Sequence, residues 1–147
     1  MAVHTQHAAG GTAAVTAGVD SVEHGMWLDP GLVDDMAAKG MVLTPTLSVF
    51  QSSLAGARER EDSAGKHWYL GGTEAHPGLI VTAAEAGVTI LAGTDSMPHG
   101  RVVDEVRALA TAGLRPHDAL AAGSWAARAY LGLPGLVPGA PADAIAD

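Results

Sequence analysis

The chain has 147 residues, 48% of them hydrophobic and 16% charged, with a formal net charge of -8 and no cysteine. This composition suits one ordinary globular domain and excludes a disordered chain. It also excludes disulfides, thiolate metal sites and a cysteine nucleophile, and the eight Lys and Arg form no basic stripe of the kind nucleic acid requires.

No apolar run approaches the length of a membrane span. The opening residues lack the basic and apolar stretches of a signal peptide, so a cytoplasmic location is expected. In chain order, "AVH" reads as a strand ending at His4, and "HAAGGTAAVTAG" as an Ala-rich helix stopped by Gly18. "VDSVEH" is a second strand, ending at His24. "LDPGLVDDMAAKG" is the clearest helix: Asp29 caps it, Pro30 takes the first helical position, Leu32, Val33 and Met36 form one apolar stripe, and Gly40 stops it.

"MVLTPTL" is a third strand, with Pro45 at its end, where a ladder donor is dispensable. Residues 48–76 are less regular. "LAGARERED" is polar and helical in part, "GKHWYLGGTEAHPG" reads as loop with a partial helix, and "GLIVTAAEAG" as a short helix stopped by Gly87. "VTILAGTD" is a fourth strand, apolar on both faces as in a covered parallel sheet. Two helices follow, "VVDEVRALATAG" and "PHDALAAGSWAARAYLG", and the tail ends as a strand begins. Strand–helix alternation at this spacing predicts an α/β fold with a parallel sheet and right-handed crossovers.

In such folds functional groups gather at the carboxyl ends of the strands. The polar residues there are His4, His24, Thr46 and Asp95, so two imidazoles and a carboxylate converge on one mouth. Nitrogen and oxygen donors on a rigid rim suit a divalent metal, Zn²⁺ first. Each residue also has a plainer reading. A strand-end His serves as a hydrogen-bonded structural group, and Asp95 in "GTDS" as a loop cap. Glu23 is expected on the face opposite His24, in packing or a salt bridge. His7 is favoured as a loop residue over a second ligand. Trp27 and Trp68 are pocket-wall candidates, with core packing as the alternative. His67, His76, His99 and His117 are expected in solvated loops or helix starts, and His99 is the one to watch because it follows Asp95 on the same rim.

The motifs "AVH…AGVDSVEHG…LTPTL…AGVTILAGTDS…GLVPGAPAD" resemble the carboxyl-terminal half of the metal-dependent amidohydrolase superfamily, in its imidazolonepropionase-like and prolidase-like branch. The resemblance implies the second half of an eight-stranded (β/α) barrel of TIM type, with a small β-sandwich appended. Residues 1–133 would carry strands five to eight and the closing helices, and 134–147 a truncated return to the sandwich. It makes His4 and His24 metal ligands from strands five and six. It makes Asp95 a metal contact and the general base toward bound water, with His24 also taking part in catalysis. Further pocket candidates are His7, Trp27, Thr46 and His99.

The family's His-x-His pair and its strand-four lysine are absent; Lys39 and Lys66 are poor substitutes. The implied reaction is hydrolysis of a C–N bond in a cyclic or dipeptide-like amide by metal-activated water, with this chain inactive unless joined by the amino-terminal half. The alternatives are a metal-dependent deaminase of the same superfamily and a non-catalytic, self-associating half-barrel. Expected partners are a small-molecule amide and either a second copy of the chain or the missing half, with no nucleic acid and no membrane.

Overall fold

A computed structural model describes residues 1–135 and 137–141. Four parallel strands, β1 (Ala2–Thr5), β2 (Ser21–His24), β3 (Val42–Thr44) and β4 (Thr89–Ile90), pair in chain order. Helices return the chain between them: α1 (Ala8–Ala17), α2 (Val33–Ala38), α3 (Leu47–Glu59) and α4 (Ala64–Glu85). After β4 come α5 (Val102–Ala112), α6 (Pro116–Ala122) and α7 (Trp125–Tyr130). The result is the expected parallel arc of a (β/α) barrel, with Val22, Met36, Leu43, Ile80 and Leu109 fully buried in its core.

The local punctuation acts as its chemistry dictates. Gly18 and Gly40 end their helices in the left-handed region, at φ 68° and 65°. The Asp29 carboxylate accepts from the Gly31 N–H at 2.9 Å, and Pro30 starts a single 3₁₀ turn (Pro30–Leu32) that leads into α2.

Three expectations are corrected. Residues 48–76 are not irregular: they hold α3 and most of α4, and "GLIVTAAEAG" supplies the carboxyl-terminal end of that 22-residue helix and its stop. Pro77 removes one intrahelical donor and Gly71 and Gly72 weaken propensity. The helix persists because Gly72, Thr73, His76, Leu79, Ile80 and Ala83 form one buried stripe at helical spacing. Gly72 is required there, since a Cβ would come within 2.6 Å of Trp27 Nε1 and 2.8 Å of Met26 Cε.

The fourth strand is shorter than expected. Beyond Ile90 the Leu91 N–H still donates to Leu43 O at 2.9 Å, but the Ala92 N–H turns to Ala122 O at the end of α6. Finally, "PHDALAAGSWAARAYLG" is two helices rather than one, broken at Gly123 and Ser124. A Cβ on Gly123 would meet Val106 of α5 at 2.8 Å, so the chain bends where α5 crowds it. The expected return to a second domain falls on 134–147. Of these, 136 and 142–147 lie outside the described residues, and 138–140 form a turn and a bend.

Candidate active site

The strand register places the site. Val3 pairs with Val22, His4 with Glu23 and Thr5 with His24. Val3 and Val22 pack into the core and Thr5 lies against Gly10 of α1, so His4 projects from the opposite, inner face. A regular pleat would carry His24 with Thr5, toward the helices. Instead His24 takes φ 67°, which swings its ring to the mouth. There its Nε2 is 2.7 Å from His4 Nδ1, the rings edge-on with centroids 4.3 Å apart. Glu23 accepts from Ser21 Oγ on its own strand.

Thr46 and Asp95 share this strained backbone, at φ 50° and 44°. Among the described residues these three are the non-glycine residues with positive φ: His24 ends β2, Thr46 lies two residues past β3, and Asp95 lies five past β4. Such conformations cost on the order of 1–3 kcal/mol each and persist where tertiary contacts over-determine them. Thr46 Oγ1 lies 2.7 Å from His24 Nδ1, and Asp95 Oδ2 lies 3.8 Å from His24 Nε2. Gly93 lets the Asp95 segment pass close to β3, where a Cβ would meet Thr44 Cγ2 at 2.6 Å. Burial, reinforced by neighbouring His4, holds the His24 imidazole below its ordinary value, against the opposing pull of Asp95 and Glu23.

The expected residues therefore divide. His4, His24, Thr46 and Asp95 converge. His7 precedes α1 and stacks on Trp68 at 4.5 Å, and Trp27 lies 6.3 Å from the same indole. His99 sits in an exposed loop and makes no hydrogen bond, ion pair or ring contact among the described residues. His67 and His117 are exposed, each beside an aspartate, Asp62 and Asp118.

Two groups were not anticipated. His76, expected in solvent, is fully buried on α4, and its Nε2 donates to His24 O at 2.9 Å. Burial lowers its pKa to about 4, so the ring is neutral. Glu105 of α5, also fully buried, accepts from the Leu47 and Ser48 N–H groups at 2.7 Å each. Burial pushes its carboxyl above the usual range, and the bonds from Ser48 and Leu47 hold that rise back. Both were detectable in principle. His76 precedes Leu79, Ile80 and Ala83, and Glu105 precedes Ala108, Leu109 and Ala112, by three, four and seven residues. A titratable side chain at that spacing sits on the buried stripe.

Two imidazoles and a carboxylate are donors that zinc accepts. As placed, the imidazoles bond to each other. Two nitrogens on one tetrahedral zinc stand roughly 3.3 Å apart at Zn–N of about 2.0 Å, so the rings at 2.7 Å would have to part. Among the described residues no group of three or more His, Asp or Glu is arranged to hold a metal ion. No described helix is long and apolar enough to cross a membrane.

Comparison with known proteins agrees with the parallel barrel arc. An uncharacterised protein of Mycobacterium tuberculosis is 39% identical over 137 residues, covering 88% of this chain and 36% of that protein. The ochratoxinase of Aspergillus niger is 33% identical over 125 residues, covering 83% and 26%. Its crystal structure superposes with a TM-score of 0.75 at 29% identity, over 88% of this chain and 29% of that one. A Xaa-Pro dipeptidase crystallised with methionine in its active site gives a TM-score of 0.76 at 26% identity, over 89% and 33%. The chain thus spans about a third of the length of the relatives it matches. The model of the amidohydrolase family matches residues 1–147. On that match and on its parallel barrel arc, the chain belongs to the amidohydrolase family.

Proposed function

We propose that this chain supplies the carboxyl-terminal part of a metal-dependent hydrolase that cleaves C–N bonds in cyclic or dipeptide-like amides. Family membership supports a hydrolase, and the observation that carries the reading is the convergence of His4, His24 and Asp95 on one mouth of a parallel sheet. His4 and His24 would hold the metal, zinc first, with Asp95 beside them. A bound divalent ion supplies Lewis acidity and lowers the pKa of water toward 7.

The chain's own groups do the rest. Asp95 is two-thirds exposed, at 66%, and is free to take a proton from water at the mouth and return it to a leaving nitrogen. Thr46 fixes the His24 ring through Nδ1, leaving Nε2 toward the mouth. A neutral His24, favoured by its burial, keeps a nitrogen lone pair available. The Xaa-Pro dipeptidase supports a dipeptide-like amide substrate by its name. A cytoplasmic location belongs to the same proposal.

Cobalt titration of the chain, followed by visible absorption, tests the ligand set. We expect His24→Ala and His4→Ala to weaken binding at least tenfold and Leu120→Ala, an exposed change on α6, to leave it unaltered. Equal cobalt binding by His24→Ala and the unaltered chain would remove the basis of the reading.

A further inference from the structure

We infer that Glu105 is a positioning residue for His24, acting through the first turn of α3 and Thr46. The inference rests on the proposed function only in treating His24 as a working group of the site.

The argument starts from an anomaly at a helix end. The first N–H groups of a helix lack intrahelical partners, and a threonine at the cap position ordinarily satisfies one with its own hydroxyl, from an extended backbone. Thr46 occupies the cap position of α3 and does neither. Its backbone is left-handed, at φ 50° and ψ 43°, and its side chain makes no capping bond. Its hydroxyl is spent on His24 Nδ1 instead, at 2.7 Å.

The cap comes from elsewhere. Glu105 reaches across from α5, and its two oxygens take the N–H groups of Leu47 and Ser48 at 2.7 Å each. A carboxylate at a helix amino terminus is favoured by hydrogen bonding and by the helix dipole. This carboxylate is wholly shielded from water and stands 58 positions from Leu47 in sequence, so it is a purely tertiary cap. By satisfying α3 it releases the Thr46 hydroxyl to orient the imidazole. Without it, the orphaned N–H groups would draw Thr46 back toward an ordinary cap and away from His24.

The test is read on the His24 ring of the metal-free 147-residue chain, from its ¹⁵N chemical shifts by long-range ¹H–¹⁵N correlation. Glu105→Gln keeps the size of the side chain but offers one acceptor oxygen to two donors. We expect it to shift the His24 Nδ1 signal, as Thr46→Val does by removing the hydroxyl. The double variant should show no more than Thr46→Val alone, because both changes break one relay. Leu109→Ala, one turn along α5 in the core, should destabilise the chain and leave Nδ1 where it was.

Should Glu105→Gln not fold, Glu105→Asp carries the same reading, since it keeps the charge and withdraws the carboxylate by one methylene. With cobalt added, the Glu105 variant should bind on the order of tenfold to a hundredfold more weakly, as loss of ligand-orienting partners does. An unmoved His24 signal in the Glu105 variant, or a shift of equal size with and without Thr46, would overturn the inference. Failure of the unaltered chain to bind cobalt would count against the hydrolase reading and not against this one.

Discussion

Acidification from pH 7 to 4 should destabilise the chain through His76 in particular. The side chain is fully buried, its Nε2–H bonds to His24 O, and its Nδ1 is buried with no hydrogen-bond partner. A second ring proton would therefore sit on a nitrogen with nothing to accept it. The folded value of about 4 lies below the ordinary 6.5. The unfolded chain thus takes up the proton first, and the stabilisation is complete above pH 6.5 and lost as pH falls toward 4. At about 1.4 kcal/mol for each pH unit, the loss amounts to roughly 3 kcal/mol, a large share of the 5–15 kcal/mol that holds a typical domain.

Urea unfolding at pH 7, 6, 5 and 4, on the wild type and on His76→Gln, isolates this contribution. Gln keeps an N–H for His24 O and does not titrate in the range. Glu105, whose raised value has the opposite sign and adds stability as it protonates, is common to both proteins and cancels in the difference. The wild type should lose about 3 kcal/mol more than the variant between pH 7 and 4. Parallel losses over that window would refute the account.

Two substitutions on α4 should act in opposite directions. Gly72→Ala forces a methyl against Trp27 and Met26 and should cost about 1–3 kcal/mol with a change in tryptophan fluorescence. Gly78→Ala meets nothing within 4 Å and should gain up to about 1 kcal/mol in thermal unfolding. Stabilisation by both would contradict the packing of α4 on Trp27. The isolated chain should self-associate in sedimentation velocity, because β1 is an open edge and Ala2 and His4 are exposed on it. A stable, concentration-independent monomer would contradict that. The chain alone should turn over no member of an amide library, and measurable zinc-dependent hydrolysis would show that a third of the barrel protein suffices.

The features legible in the sequence are those with a local cause. Alternating strand and helix patterns reported the parallel arc, because periodicity follows from which face each element buries. Gly18, Gly40, Asp29 and Pro30 reported helix ends, because φ and capping are decided within a few residues. His4, His24, Thr46 and Asp95 could be brought to one mouth from strand-end position alone, since parallel strands share a direction. What only the tertiary structure decided depends on partners far along the chain. Alternation would have turned His24 away from His4, and its left-handed backbone, held by Thr46 and by His76 from 52 residues on, turned it back. Gly71, Gly72 and Pro77 read as breakers, yet α4 runs through them because Thr73, His76, Leu79, Ile80 and Ala83 bury one face of it, and Gly72 leaves the space that Trp27 and Met26 fill. His7 and Trp27 gathered about Trp68, a residue of α4 far along the chain from both. Glu105 became a cap for α3, across 58 residues, because the buried side of α5 brings a carboxylate to two backbone N–H groups that no nearer residue satisfies.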